Sequence, residues 1–394
     1  MHQQPLDRSR SEELIERFFK LAENQTTVRR ELLGGLTTFM TMAYIIVVNP
    51  QILAQAGMPA DGVLFATCIS SAAASLVMGL YANYPIALAP GMSLNAYFTY
   101  SVCLGMHIPW QTALGVVFFS GVLFILLTIT RVREQIVNGI PDCLKHSTAA
   151  GIGMFIAFVG MRGAKLVVAN PATFVGIGNL SDPEVQAACL GLVLTLVLMV
   201  RKVNGAILLG ILGTTLYGIF RGMAHWPVSL VAMPHPSSTL LQLDLRGAAH
   251  LGLLEITFAF LFVDLFDNVG TLVGVCEQAG FVKDGKIPGV GRALLADAVG
   301  TVFGSLTGTS TVTSYMRAPQ SIAKVKWEEY TDAFPAFVTM AATPLTFSIA
   351  TGLSLGLISF TIVKVAAGKF REVSLLLWIL TVLFILRYIY LAAA

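Results

Sequence analysis

The stretch Leu251–Val275, LGLLEITFAFLFVDLFDNVGTLVGV, decides the class of fold. It is apolar over a length that crosses a bilayer, which takes about 20 residues. Yet Asp264, Asp267 and Asn268 stand near its middle. A carboxylate at the centre of a spanning helix costs about 2.5–3.5 kcal/mol on insertion scales. Chains keep such groups where they face a cavity, a partner or a substrate. Asp264 and Asp267 are three apart, so a helix places them on one face, which Asn268 and Thr271 extend. Phe262, Leu265, Phe266 and Val269 lie opposite, toward lipid or other helices.

Composition agrees with this reading. The 394 residues are 55% hydrophobic and 12% charged, with a mean hydropathy of +0.75. Soluble domains carry about 25% charge. The chain therefore reads as an all-α polytopic protein of a lipid bilayer. A net charge of +3 points to no nucleic acid. Five Cys and six His show no metal-ligand spacing, and thiols in apolar segments behave as small hydrophobes. No metal, cofactor or disulfide is expected. The polar N-terminus offers no cleavable signal, so the first spanning helix would direct insertion.

Residues 1–30 form a polar N-terminal segment. Within it, Ser11–Leu21 makes an amphipathic helix for the membrane surface, and six Lys or Arg place it inside the cell. Spans follow at Gly34–Leu53, Val63–Leu80, Ile86–Gly105, Ala113–Thr130, Ala149–Met161, Val185–Val200 and Ala206–Phe220. The third is broken by Pro90 and Gly91. Arg131, Arg133 and Lys145, then Arg201 and Lys202, fall on the cytoplasmic side, as the positive-inside rule requires. Residues 221–250 form an external loop. Leu251–Val275 is the eighth span and Ala293–Leu306 the ninth, followed by the polar run Thr307–Tyr315. Phe334–Ala350, Leu353–Ala367 and Val373–Ala392 close the chain.

An internal repeat organises these spans. SSAAASLVMGLYANYPIALAPGMSLNAYF from Ser70 and ADAVGTVFGSLTGTSTVTSYM from Ala296 share an order. Each has a small-residue span, then a Gly, Pro, Thr or Ser break, then an aromatic. Seven spans precede Leu251, so the second unit starts from the opposite face, as in an inverted repeat. Such carriers bind substrate at the midplane, between two interrupted helices. Ala89-Pro90-Gly91 with Ser93 and Asn95 is one break, and Thr307–Tyr315 is the other. No Lys or Arg inside a clear span is available to pair with the Asp residues. Glu255 and Asp297 sit nearer span ends, where solvated roles are expected.

TTVRRELLGGLTTFMTMAYIIVVNPQIL, LAPGMSLNAYF, VDLFDNVGTLVGV and GTSTVTSY, in this order, resemble the nucleobase–cation symporters, in particular the AzgA-like adenine/guanine/hypoxanthine permeases. The resemblance covers most of the chain. It implies a core domain bearing the site, a gate domain carrying homodimer contacts, and proton-coupled purine uptake at the cytoplasmic membrane. It assigns substrate binding to Asp267, Asn95 and the run Thr309 to Tyr315, Thr311 included; Gly91 and Ser93 at the break, where family members often have Gly in place of Ser93, and Thr38 in the first span are further candidates, and proton coupling falls to Asp264 and Asp267. The first repeat would run over 31–220, with core helices at about 31–130 and gate helices at about 145–220. The second would run over 251–394, with core helices at 251–316 and gate helices at about 321–394.

The chain departs from the family after Tyr315. A Glu-bearing half-helix and two further spans, roughly 60 residues, are absent. The second repeat is therefore incomplete, and a non-transporting remnant is an alternative. In the purine reading, Asp267 accepts from ligand N–H groups, Asn95 serves ring acceptors, and Tyr97, Phe98 or Tyr315 stacks on the ring. Protonation of the Asp pair would neutralise a costly charge and couple proton entry to binding. An anion carrier of the same fold would want a cation where this chain has Asp. An intramembrane aspartyl protease would need its acids on two facing helices, whereas both lie on one, so no enzyme activity is expected.

Overall fold

A computed structural model describes residues 18, 19, 21, 23, 26–130, 141–224, 226, 238–249, 256–257, 259–261, 263–265, 289–314 and 325–391. Six helical segments within them are long and apolar enough to cross a membrane: Val28–Ala54, Ala60–Ala82, Trp110–Ile129, Asp142–Gly163, Pro183–Val200 and Ile349–Ala366. Ala206–Phe220 and Leu375–Leu386 are shorter apolar helices. Most of the Ser11–Leu21 surface helix lies outside the described residues.

The first span is two helices, α1 (Val28–Met42) and α2 (Ile45–Ala54). Thr27 caps α1 by accepting from Arg30 N. Pro50 lies inside α2 and has no N–H to return to the carbonyl one turn earlier. Next come α3 (Ala60–Val77), ending in a π-turn at Met78–Ala82, and the short strand β1 (Leu88–Pro90). The chain resumes as α4 (Met92–Ala96), running into a π-helix over Tyr97–Gly105. The third span is thus interrupted at Pro90-Gly91, as expected. It is interrupted by a strand, which corrects the all-α expectation. Proline cannot donate to a helix ladder, and the residue before it is pushed to extended backbone.

Then come α5 (Trp110–Ile129), α6 (Asp142–Gly163), strands β2 (Val167–Asn170) and β3 (Phe174–Ile177), α7 (Pro183–Val200) and α8 (Ala206–Phe220). The fifth span is longer at both ends than Ala149–Met161. Its polar start is helical because Lys145 Nζ pairs with Asp142 Oδ1 at 2.9 Å. The β2–β3 hairpin is antiparallel, and Asn170 turns it by accepting from Ala172 N at 2.8 Å. Within residues 221–250, Asp244 caps α9 (Leu245–Ala248) through Gly247 N at 2.9 Å. The loop is also fastened to the bundle, Leu241 N donating to Leu306 O at 2.8 Å.

The second half holds α10 (Val290–Thr307), β4 (Val312–Ser314), α11 (Tyr330–Leu345), α12 (Ile349–Ala366) and α13 (Leu375–Leu391). The tenth-span break is therefore also a strand. The expected span Phe334–Ala350 is divided by a turn, because Ser348 Oγ accepts from Thr351 N at 3.2 Å and starts α12 there. Lys364 corrects the view that no cation lies inside a span. It is buried near the end of α12 and pairs with Asp332 at 2.9 Å and Glu372 at 2.8 Å. Outside the spans, a hydrogen bond from Lys369 holds the Glu329 carboxyl below the usual carboxylate range.

Packing follows small residues. α10 lies on α3 and α5, while α11 and α12 pack on each other and on α6. A Cβ added at Gly356 would strike Thr339, and one at Gly352 would strike Thr343, so these helices touch backbone to side chain. At the α3–α10 crossing, a Cβ at Gly300 would come 2.9 Å from Ala74 Cβ and 3.3 Å from Val312 Cγ1. Gly300→Leu should therefore cost about 1–3 kcal/mol through overpacking. It would be read as a lower thermal midpoint of the detergent-purified protein, with Gly300→Ala falling between. An unchanged midpoint would mean that the two helices separate without penalty.

Candidate functional site

The site is built where the two interrupted helices cross. β1 and β4 pair antiparallel, with Leu88 opposite Ser314, Ala89 opposite Thr313 and Pro90 opposite Val312. Gly91, the N-cap of α4, donates its N–H to Thr311 O at 2.9 Å. Each strand is gripped by a hydroxyl from the helix before it. Ser75 Oγ accepts from Leu88 N at 2.9 Å and donates to Leu88 O at 3.1 Å. Thr301 Oγ1 accepts from Val312 N at 3.2 Å and donates to Val312 O at 3.1 Å. The sequence repeat aligns Ser75 with Thr301, and Ala74 with Gly300. A two-fold through the Ala89–Thr313 pair exchanges Leu88 with Val312. The same device thus recurs on both sides of the crossing.

A buried polar cluster sits against these strands. Asn95, fully buried on α4, donates from Nδ2 to Asn49 Oδ1. Asn49, fully buried on α2, donates from Nδ2 to Thr67 Oγ1 at 2.8 Å and to Thr309 Oγ1 at 3.1 Å. Thr67 in turn donates to Val63 O at 2.6 Å. Among the described residues, Asn95 Oδ1, Ser310 Oγ and Thr311 Oγ1 are buried without a hydrogen-bond partner. Buried polar groups are paired in the large majority of cases, and an unpaired one costs about 1–3 kcal/mol. Three such atoms beside one strand crossing mark a place built to be matched by something else.

The described part of Leu251–Val275 packs on the π-helix that follows Asn95. Asp264 is fully buried, and so is its neighbour Val263. Phe260 meets Tyr97 edge-on at 5.1 Å and Phe98 at 6.4 Å between ring centroids. Those two rings are buried against Phe260. Leu265 is buried with Phe124, Leu144 and Leu353, so the apolar side faces helices. Asp267, Tyr315, Asn268 and Glu255 lie outside the described residues.

Of the other expected residues, Ser93 is buried on α4. Thr38 stands apart from the cluster, its hydroxyl turned back to Gly34 O at 2.9 Å. It lines a cleft of about 780 Å³ between α1, α3 and the approach to β1, with Thr67 and Ser71 on the facing wall. Asp297 is 3% exposed, which corrects the solvated role expected for it. It lies in the middle of α10, which begins three residues earlier than expected. Asn49 and Thr67 were missed as site residues. The sequence marks them only as an Asn before Pro50 and a Thr in a span of Ala and Ser, which does not single them out. Among the described residues no group of three His, Cys, Asp or Glu could hold a metal.

The described residues thus form a bundle of apolar helices in which two short strands, each following an apolar helix, pair beside a buried polar cluster. Solved structures share the fold. The transmembrane domain of the cyanobacterial bicarbonate transporter BicA aligns over 93% of this chain and 98% of its own, at TM-score 0.50 and 17% identity. SLC26A9 aligns over 93% of this chain and 73% of its own, at TM-score 0.56 and 10% identity. The sequence is more specific. Residues 29–327 match the profile of the Permease family. A Methanocaldococcus jannaschii chain named only as a permease is 48% identical over 96% of this chain and 99% of its own length. The guanine/hypoxanthine permease PbuO of Bacillus subtilis is 39% identical over 94% and 99%. The adenine permease AdeP of Escherichia coli is 37% identical over 96% and 97%. The chain belongs to this nucleobase permease family, whose members are transporters and not enzymes.

The same matches carry a length argument. The M. jannaschii match spans 431 aligned positions, whereas 96% of 394 residues is about 378. For PbuO, 427 positions face about 370 residues, which is 94% of the chain. Some 50 to 60 positions present in each relative have no residue here.

Proposed function

We propose that this chain imports purine nucleobases (adenine, guanine and hypoxanthine) across the cytoplasmic membrane by proton symport, as a homodimer with its N-terminus inside the cell. The observation that carries the reading is the cluster of unmatched buried polar atoms at the β1–β4 crossing. A purine edge offers both N–H donors and ring-nitrogen acceptors, which is what Asn95 Oδ1 and the Ser310 and Thr311 hydroxyls require. Asp267 accepts from further ligand N–H groups, with Ser93, Gly91, Thr309 and Tyr315 around it and Thr38 on the approach. The names of PbuO and AdeP favour purines over other nucleobases. Asp264 and Asp267 hold the coupled proton between them, because a charge at that depth is costly unless neutralised.

The matching grips of Ser75 and Thr301 support two inverted repeats, 31–220 and 251–394. The packing of α6 with α11 and α12 supports a gate built from both repeats. The test is uptake of radiolabelled adenine, guanine, hypoxanthine and uracil into cells lacking their own purine carriers. Purines should enter in preference to uracil, faster with acid outside, and Asp267→Asn should remove the dependence on external pH. Equal uptake of uracil, or purine uptake indifferent to pH in the unaltered chain, would defeat the reading. The second reading, a purine-binding remnant that does not transport, rests on the 50 to 60 positions that this chain lacks.

A further inference from the structure

We infer that Asn49, anchored by Thr67, is a positioning residue that fixes the orientation of the Asn95 amide, so that its Oδ1 is the atom left to accept an N–H from the ligand. This rests on the proposed place of Asn95 in the purine site.

The argument follows the polarity of the hydrogen-bond chain. Val63 O is a backbone carbonyl and can only accept. Thr67 Oγ1 lies 2.6 Å from it, so the single Thr67 proton is committed there. Thr67 Oγ1 then has only lone pairs to offer Asn49, at 2.8 Å. Asn49 must turn its NH2 toward Thr67, with a second bond to Thr309 at 3.1 Å. That leaves Asn49 Oδ1 facing Asn95, which must answer with its own NH2. Beyond a second N–H on Nδ2, the Asn95 Oδ1 is left, fully buried and unpartnered among the described residues. Asparagine amides reverse readily, and their orientation is set by the surrounding network. Here one carbonyl on α3 sets it through two intermediaries. This reverses the role expected from sequence, in which Asn95 served ring acceptors. Thr309 cannot be the anchor, because its hydroxyl proton is free to follow Asn49.

The test is equilibrium binding of hypoxanthine and its 1-methyl, 7-methyl and 9-methyl derivatives to the purified full chain in detergent. The unaltered chain should reject the derivative whose methyl replaces the N–H that meets Asn95. Thr67→Val keeps the side-chain shape and removes the anchor. Hypoxanthine affinity should fall about tenfold, the worth of one ordinary hydrogen bond. The discrimination against that derivative should shrink with it. Asn49→Leu should do the same, and Thr67→Ser should keep both affinity and discrimination. If Thr67→Val and Asn49→Leu bind and discriminate like the unaltered chain while Asn95→Leu loses binding, the relay is wrong and the site stands. If Asn95→Leu binds normally, or the unaltered chain binds no purine, the site reading itself fails. A packing role alone would lower thermal stability without touching the methyl discrimination. Thr67→Ser guards against misfolding as the explanation.

Discussion

Hypoxanthine binding is expected to fall at least about 100-fold when Asn95 becomes Leu. The ligand N–H loses its acceptor and is left buried without one, whereas the bond that Asn49 Oδ1 loses from Asn95 Nδ2 is missing with or without ligand and weakens the fold instead. A buried polar atom left unpaired costs about 1–3 kcal/mol, and tenfold in affinity is about 1.4 kcal/mol. Leu shares the branching of Asn at Cγ, so the backbone of α4 and its pairing through Gly91 N to Thr311 O should persist. The measurement is the dissociation constant of radiolabelled hypoxanthine on the purified chain, beside its thermal midpoint without ligand. A fall in affinity far larger than any fall in stability is the signature of a contact to ligand. A loss of stability with affinity preserved in the folded fraction would make Asn95 a structural bridge between α2 and α4. The effect should exceed that of Thr67→Val, which disturbs only the orientation of the same amide.

The helical bundle and its interruptions were legible because bilayer physics is written in composition. Apolar runs and positive loops gave most spans to within a few residues, and Pro90-Gly91 gave the break. The form of the break was not legible. A strand of three residues needs a partner, and β1 finds its partner more than 200 positions away in β4. Local propensity carries no trace of such a pairing. Asn95 and Thr309 could be singled out as polar residues at breaks, but Asn49 and Thr67 could not. Their importance lies in touching each other across α2 and α3. Asp297 was misjudged for a similar reason. Distance from a span end stood in for burial, and the helix starts earlier than its hydrophobic run does. Lys364 shows the converse case, a cation inside a span that is neutralised by Asp332 and Glu372 from neighbouring segments.

Restoring from a relative the 50 to 60 absent positions, at the point after Tyr315 where the resemblance puts them, should raise purine uptake at least about tenfold while changing hypoxanthine affinity less than about tenfold. The reasoning separates binding from movement. The polar cluster, the β1–β4 pairing and the Ser75 and Thr301 grips are all complete in the 394-residue chain. A ligand that needs only these should still bind. Transport in the proposed reading needs more, since there a core would move as one body against a gate. Two spans of about 20 residues each fill much of the absent length of 50 to 60 positions, so the loss preserves the parity of every later helix. The helices α11 to α13 would then insert in the family's orientation, and α11 and α12 pack on α6. The core, by contrast, would lose helices that brace it while it moves. Uptake into carrier-deficient cells and binding to purified protein, measured on both chains, decide the matter. Higher uptake with similar affinity in the restored chain would assign the absent helices to motion. Equal uptake would mean that the crossing, Asp264 and Asp267 suffice for transport. A large gain in affinity would mean that the absent segment carries part of the binding site, and the site would have to be redrawn to include it.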